Sequence, residues 1–220
     1  SDVYKRQPLS ARLSNKELWR YSGLAIPTAF AGYPIYVLAP DYYATKYSVS
    51  LSLLGFLLLV LRLFDAFQDP LIGLISDKYR AASIWFLPAA SIIICLGVYC
   101  LFNMKPTQPA FWFVFFVSIT VMAYNLITIN LNTYGCLWSH NPEEQIQITT
   151  YREGCGIIGL LIAVSLPSFF KSFVSEQDAY FYLSIILCIL MIAAWIGFWG
   201  WLKKNIKRKI LSDENDKSLN

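Results

Sequence analysis

Charge is scarce in this chain. Asp, Glu, Lys and Arg make up 15% of its 220 residues, against about a quarter in soluble domains, which excludes an ordinary water-soluble domain. Histidine is nearly missing too: the single one, His140, falls in the polar loop Ser139-His140-Asn141-Pro142, where a solvated side chain rather than a metal ligand is expected. The five cysteines, Cys95, Cys100, Cys136, Cys155 and Cys188, are odd in number and lack CxxC spacing, so they read as free thiols. No Walker loop, zinc-ligand cluster or serine nucleophile elbow occurs, and no enzymatic reading of substance remains. The formal net charge of +4 is small and unevenly placed, an orientation signal rather than a nucleic-acid surface.

What fills the chain instead is apolar: 56% hydrophobic residues, 16% aromatics and a mean hydropathy of +0.48 describe an integral membrane protein. Six segments are each able to cross roughly 30 Å of hydrocarbon, approximately Tyr21 to Ala39, Val49 to Ser76, Ile84 to Phe102, Ala110 to Trp138, Ile148 to Phe173 and Tyr180 to Leu202. All must be helices, because lipid offers no partner to unpaired backbone groups. The first run is too long, and without a small-residue cleavage site, to be a cleavable signal. With the N-terminus inside, Arg12, Lys16, Arg20, Lys78, Arg80, Arg152, Lys203, Lys204, Lys207, Arg208 and Lys209 are cytoplasmic, against Lys46, Lys105 and Lys171 outside; both termini are then cytoplasmic. Residues 1–20 form a cytoplasmic N-terminus whose opening SDVYKRQ reads as a cloning remnant, 21–202 the six-helix bundle, and 203–220 a basic, flexible tail or the start of a central loop.

One stretch organises the rest. Arg62-Leu63-Phe64-Asp65-Ala66-Phe67-Gln68-Asp69-Pro70 places three charges inside the second segment, where an Asp or Arg costs about 2.5 to 3.5 kcal/mol at a helix centre. Arg62, Asp65 and Asp69 fall at i, i+3 and i+7 and line one face. Two carboxylates one turn apart in a low dielectric need a bound cation, a shared proton or Arg62 to relieve their repulsion. Pro70 cannot donate to the carbonyl of Ala66 and is expected to kink the helix, leaving an oxygen beside the carboxylates that suits a hard cation such as Na⁺. The structural alternative is an internal Arg62–Asp65 ion pair with Asp69 reaching the interface.

Segments 1 to 3 and 4 to 6 read as an inverted repeat in which segments 1 and 4 correspond. Segment 1 is interrupted by Pro27, Thr28, Gly32 and Pro34; segment 4 carries Asn125, Thr128 and Asn132 on one face with Asn130 beside them. Such a stripe faces other helices or a water-filled path. Gly154-Cys155-Gly156-Ile157-Ile158-Gly159 fits GxGxxG, but no strand precedes it, so helix packing is expected instead of a dinucleotide loop. Arg152, just inside segment 5 and next to Glu153, must snorkel or meet an anion within the bundle.

RLFDAFQDPLIGLISDKYR resembles the second-helix signature of the glycoside-pentoside-hexuronide:cation symporters, the melibiose-permease-like branch of the major facilitator superfamily, with an Arg, two Asp, a Pro and the following Gly in register. EEQIQITTYREGCGIIG is similar to the family's segment entering helix 5, and the resemblance spans about residues 18 to 202. It implies a fold of two six-helix bundles around a central site, with this chain as the first bundle. It also implies Na⁺, Li⁺ or H⁺ coordination by Asp65 and Asp69, Arg62 as their charge partner, Arg152 near the sugar, and a cytoplasmic gate at Gly73, Asp77, Arg80 and Glu144. Two acidic positions of the family fall here on Ala29 and Thr128, which argues against a melibiose-like galactoside, and the arginine that usually follows Glu144 is Gln145.

The expectation is an all-α membrane protein with no enzymatic activity and no cofactor beyond the coupling cation. It would be a cation-coupled symporter of a small polar solute, a sugar or sugar derivative, with Arg152, Asn125, Thr128 and Asn132 binding solute. Its partners would be lipid, solute, and an absent C-terminal half or a second copy, with no nucleic acid; its place, the bacterial inner membrane. The alternatives are a lipid or drug carrier on the same fold and a six-helix scaffold that transports nothing.

Overall fold

A computed structural model describes residues 13–78, 83–139 and 141–218. His140 and Arg80 lie outside the described residues. Among the described residues, six helices are long and apolar enough to cross a membrane: α1 (Asn15–Tyr47), α2 (Leu51–Lys78), α3 (Ser83–Asn103), α4 (Pro109–Trp138), α5 (Pro142–Lys171) and α6 (Glu176–Ser218). The chain is a multi-pass, all-α membrane protein.

The helices outrun the apolar segments, each for a local reason. α1 starts at Asn15, because its first turns bury Leu18 and Tyr21 while exposing Lys16 and Arg20, an amphipathic pattern that mean hydropathy does not detect. α5 starts about two turns before Ile148: the Asn141 side chain accepts from the Glu143 backbone N–H at 3.1 Å, Pro142 takes the first helical position, and Glu143 and Glu144 face the positive end of the helix. α6 continues to Ser218 through the basic stretch that reads in sequence as a tail. Pro70 lies inside an uninterrupted α2.

α1 packs most extensively on α5, and α2 packs on α4; α3 packs on α4, and α6 on α1; α3 and α6 meet each other. Exchanging α1, α2 and α3 for α4, α5 and α6 maps every one of these pairings onto another or onto itself. Because each unit holds three spans, the second enters the membrane from the opposite side, which is an inverted repeat.

Small residues set the close approaches. A Cβ on Gly159 would collide with the backbone of Ile26 on α1, and one on Gly97 with the Thr120 side chain on α4. Backbone cannot move aside as a side-chain tip can, so Gly159→Ala should cost about 3 kcal/mol, the upper end for overpacking. Gly154 has open space around its Cβ position, so Gly154→Ala should leave stability unchanged or slightly raised. Thermal unfolding of the two variants in detergent checks the contrast; equal midpoints would contradict the α1–α5 contact.

Candidate functional site

Between Tyr33 and Ala39, α1 opens into a π turn, Pro34–Leu38, closed by the Ala39 N–H on the Pro34 carbonyl. Pro34 and Pro40 each withhold a backbone donor, so the ladder between them is free to widen. The turn presents Tyr36 to α2, where the Arg62 guanidinium lies 4.1 Å from the centre of its ring. Arg62 Nη1 is also 3.8 Å from Asp65 Oδ2. That arginine is 60% exposed, whereas Asp65 is 13% exposed; the cation lies at the rim and the carboxylate behind it.

One turn further, Asp69 Oδ1 accepts from Asn125 Nδ2 at 3.0 Å, which joins α2 to α4. A second tie, Asn130 Nδ2 to Ser76 Oγ at 2.9 Å, fixes the same two helices below it. Tyr124, one residue before Asn125, stands edge-on to Tyr36 with ring centres 6.3 Å apart. Its ring reaches α1 over Gly32, where a Cβ would be 3.7 Å away. The charged stripe of α2 is therefore walled by two tyrosines and an asparagine from helices that correspond in the repeat.

Two polar atoms on this face have no hydrogen-bond partner among the described residues, although both are fully covered: Asp65 Oδ2 and Gln68 Nε2. An unsatisfied buried group costs about 1 to 3 kcal/mol, more when charged. The Arg62 contact at 3.8 Å is too long for a hydrogen bond and leaves the covered Asp65 oxygen without a hydrogen-bond donor. Among the described residues no three His, Cys, Asp or Glu side chains converge, so a cation here would draw its further oxygens from neutral groups, as hard cations accept.

The other sequence-predicted residues distribute differently. Thr128 Oγ1 donates back to the Tyr124 carbonyl at 3.0 Å, and Asn132 is exposed; the asparagine stripe is thus divided between helix contact and open surface. Arg152 pairs with its neighbour Glu153 at 2.7 Å, and among the described residues no hydrogen bond or ion pair joins it to Asp65 or Asp69. It sits at the level of Tyr151, whose ring meets Trp19 at the start of α1. Glu144 Oε2 accepts from Ser139 Oγ at 2.6 Å and Gln145 Nε2 donates to the Ser139 carbonyl at 2.9 Å, which holds the α4–α5 turn. Gly73 has open space around it, and the side chain of Asp77 lies outside what is described. Sequence reasoning missed Tyr36 and Tyr124; Pro34 and Pro40 bracketing Tyr36 were the available signal.

The family described as MFS/sugar transport protein matches residues 21–219. An isoprimeverose transporter of Lactiplantibacillus pentosus is 25% identical over 194 residues, an alignment that takes in 81% of this chain and 39% of that protein. The chain spans about two-fifths of the length of that curated relative.

Proposed function

Because the chain belongs to the MFS/sugar transport family, we propose that it supplies one six-helix half of a cation-coupled sugar symporter in the bacterial inner membrane, both termini cytoplasmic. It is a transporter protein, not an enzyme. The observation that carries the coupling is the open Asp65 oxygen, fully covered inside a membrane span, with Asp69 one turn away on the same face. Asp65, the remaining oxygen of Asp69 and the Ala66 carbonyl that Pro70 leaves without its usual donor are oxygens that Na⁺, Li⁺ or H⁺ would take. Arg62 is the charge that holds the pair when the cation has left.

Tyr36 and Tyr124 offer aromatic faces and hydroxyls to a sugar, while Asn125 is placed to feel both cation and solute, since it donates to Asp69. Exposed Asn132 and half-buried Thr128 line the same helix face of α4, and Arg152 is the further solute contact on α5. Gly73, Asp77, Arg80 and Glu144 are assigned to the cytoplasmic gate. The relative's printed substrate makes isoprimeverose the first sugar to try. One positive charge entering down 100 mV releases about 2.3 kcal/mol, which concentrates a solute roughly fiftyfold.

The test is uptake of labelled isoprimeverose and related glycosides by cells producing the intact protein, with Na⁺ or pH gradients imposed, in a strain whose position 140 carries a cysteine. The expected result is gradient-dependent accumulation, and labelling of that cysteine by an impermeant reagent only after permeabilisation. Uptake indifferent to every cation gradient would refute coupling, and labelling from outside would reverse the orientation.

A further inference from the structure

On the opposite side from the charged stripe, α3 and α6 part to leave a groove of about 710 Å³. Pro88 lies inside α3 at one end of it and Cys95 and Cys188 meet at the other. Its one hydroxyl and one of its two indoles pair within the groove. Ser91 Oγ donates to the Leu87 carbonyl at 3.0 Å and accepts from Trp195 Nε1 at 2.8 Å. Among the described residues the lining is otherwise apolar apart from two thiols and the edge of Trp199, and the rims, Ile92, Leu96, Ile192 and Ile196, are exposed apolar side chains.

The groove has the length of one leaflet. From Cys188 to Trp199 α6 rises about 16 Å, and half of a hydrocarbon core of about 30 Å is about 15 Å. One turn past Trp199, the exposed Lys203 holds its Nζ 5.7 Å from the centre of the Trp199 ring. Its neighbour Lys204 is committed to Glu17, so Lys203 is a cation available at the Trp199 end of the groove, and Lys207, Arg208 and Lys209 follow in sequence. Five of the seven tryptophans, Trp19, Trp85, Trp138, Trp199 and Trp201, lie in the halves of the helices at this end, as expected at a headgroup layer.

We infer that this groove is a site for one anionic phospholipid, an acyl chain lying between α3 and α6 and the headgroup phosphate at Lys203. The occupant follows from length, an almost wholly apolar lining, and a cation at the interfacial end.

Indole fluorescence of the whole chain in phosphatidylcholine vesicles tests it, with a minor fraction of the lipid replaced by phosphatidylglycerol bearing brominated chains. Brominated phosphatidylglycerol should quench well beyond the same fraction of brominated phosphatidylcholine. Lys203→Ala should weaken the apparent affinity about fivefold. The double substitution Leu96→Phe, Ile192→Phe, at two exposed rim positions, should fill the groove and bring the quenching down to the phosphatidylcholine level with helicity by circular dichroism retained. Equal quenching by the two lipids would overturn the inference, as would a folded double variant that keeps the full excess, since the excess would then belong to the basic interface at large. Should the double variant lose helicity, Lys203→Ala decides alone, and unchanged affinity there overturns the site.

Discussion

Asp65→Asn and Asp69→Asn each lower cation-driven solute accumulation about a hundredfold or more, while the protein reaches the membrane at undiminished or higher level. The opposite directions of the two effects are what the geometry requires. Asparagine keeps size and polarity but not charge. At position 69 its carbonyl still accepts from Asn125 Nδ2, the 3.0 Å contact that joins α2 to α4, so the local helix contact survives. At position 65 the anion facing Arg62 at 3.8 Å disappears, and truncating one member of a buried charged set costs about 2 to 5 kcal/mol in the bound state. Insertion responds the other way, because the expense of carrying an Asp through hydrocarbon falls with its charge. Uptake and surface level measured on the same cells separate the two. Full cation dependence in both variants would make the carboxylates structural, with Arg62 as their sole counter-ion.

The difference between the two positions is informative as well. Asp69 already has a neutral donor, whereas the open Asp65 oxygen has none. Of the two, Asp65 depends more on whatever ligand arrives, so its variant should lose more cation affinity in a titration of uptake against Na⁺ or proton concentration.

Much of this arrangement was legible from residue spacing. Six apolar runs give six helices, because a bilayer admits no other solution for a backbone this apolar. The one-faced placement of Arg62, Asp65 and Asp69 follows from helical periodicity alone. The glycine run of α5 was rightly separated from nucleotide binding, yet only Gly159 makes the close backbone contact and Gly154 makes none; periodicity names a face but not the point where two helices cross. What stayed hidden depends on pairing across long sequence separations. Nothing local tells Asn125 that its partner is Asp69 or Asn130 that its partner is Ser76. Tyr36 reaches Arg62 through a π turn, which rotates side chains off the regular helical register and so defeats face counting. Arg152, which the resemblance places near the solute, has Glu153 at 2.7 Å, a pairing that adjacency in the chain permits but does not by itself announce.

Reconstituted alone in liposomes, the 220-residue chain should show no cation-driven accumulation of solute. The reason lies in how its surface is divided. α2, which carries all three charges of the stripe, has only 6% of its most apolar stretch buried, against 44% in α3. Arg62 is 60% exposed inside a span, and Asn132 is exposed on α4. Charged and polar groups at membrane depth face protein or water, not lipid, since each costs several kcal/mol when left unpartnered in hydrocarbon. The stripe thus calls for a cover that the six helices do not provide, and a binding site with one wall can neither enclose a solute nor close behind it. Alternating access needs two bodies that rock against each other. An absent second bundle is one such cover, in keeping with a relative of which this chain matches 39%; a second copy, docked through α2 and α5, is the other. Co-reconstitution distinguishes them: accumulation restored only by a separately expressed C-terminal bundle supports the first. Robust accumulation by the purified chain alone, running as a dimer in the same detergent, would establish the second and make every span of the transporter present in this sequence.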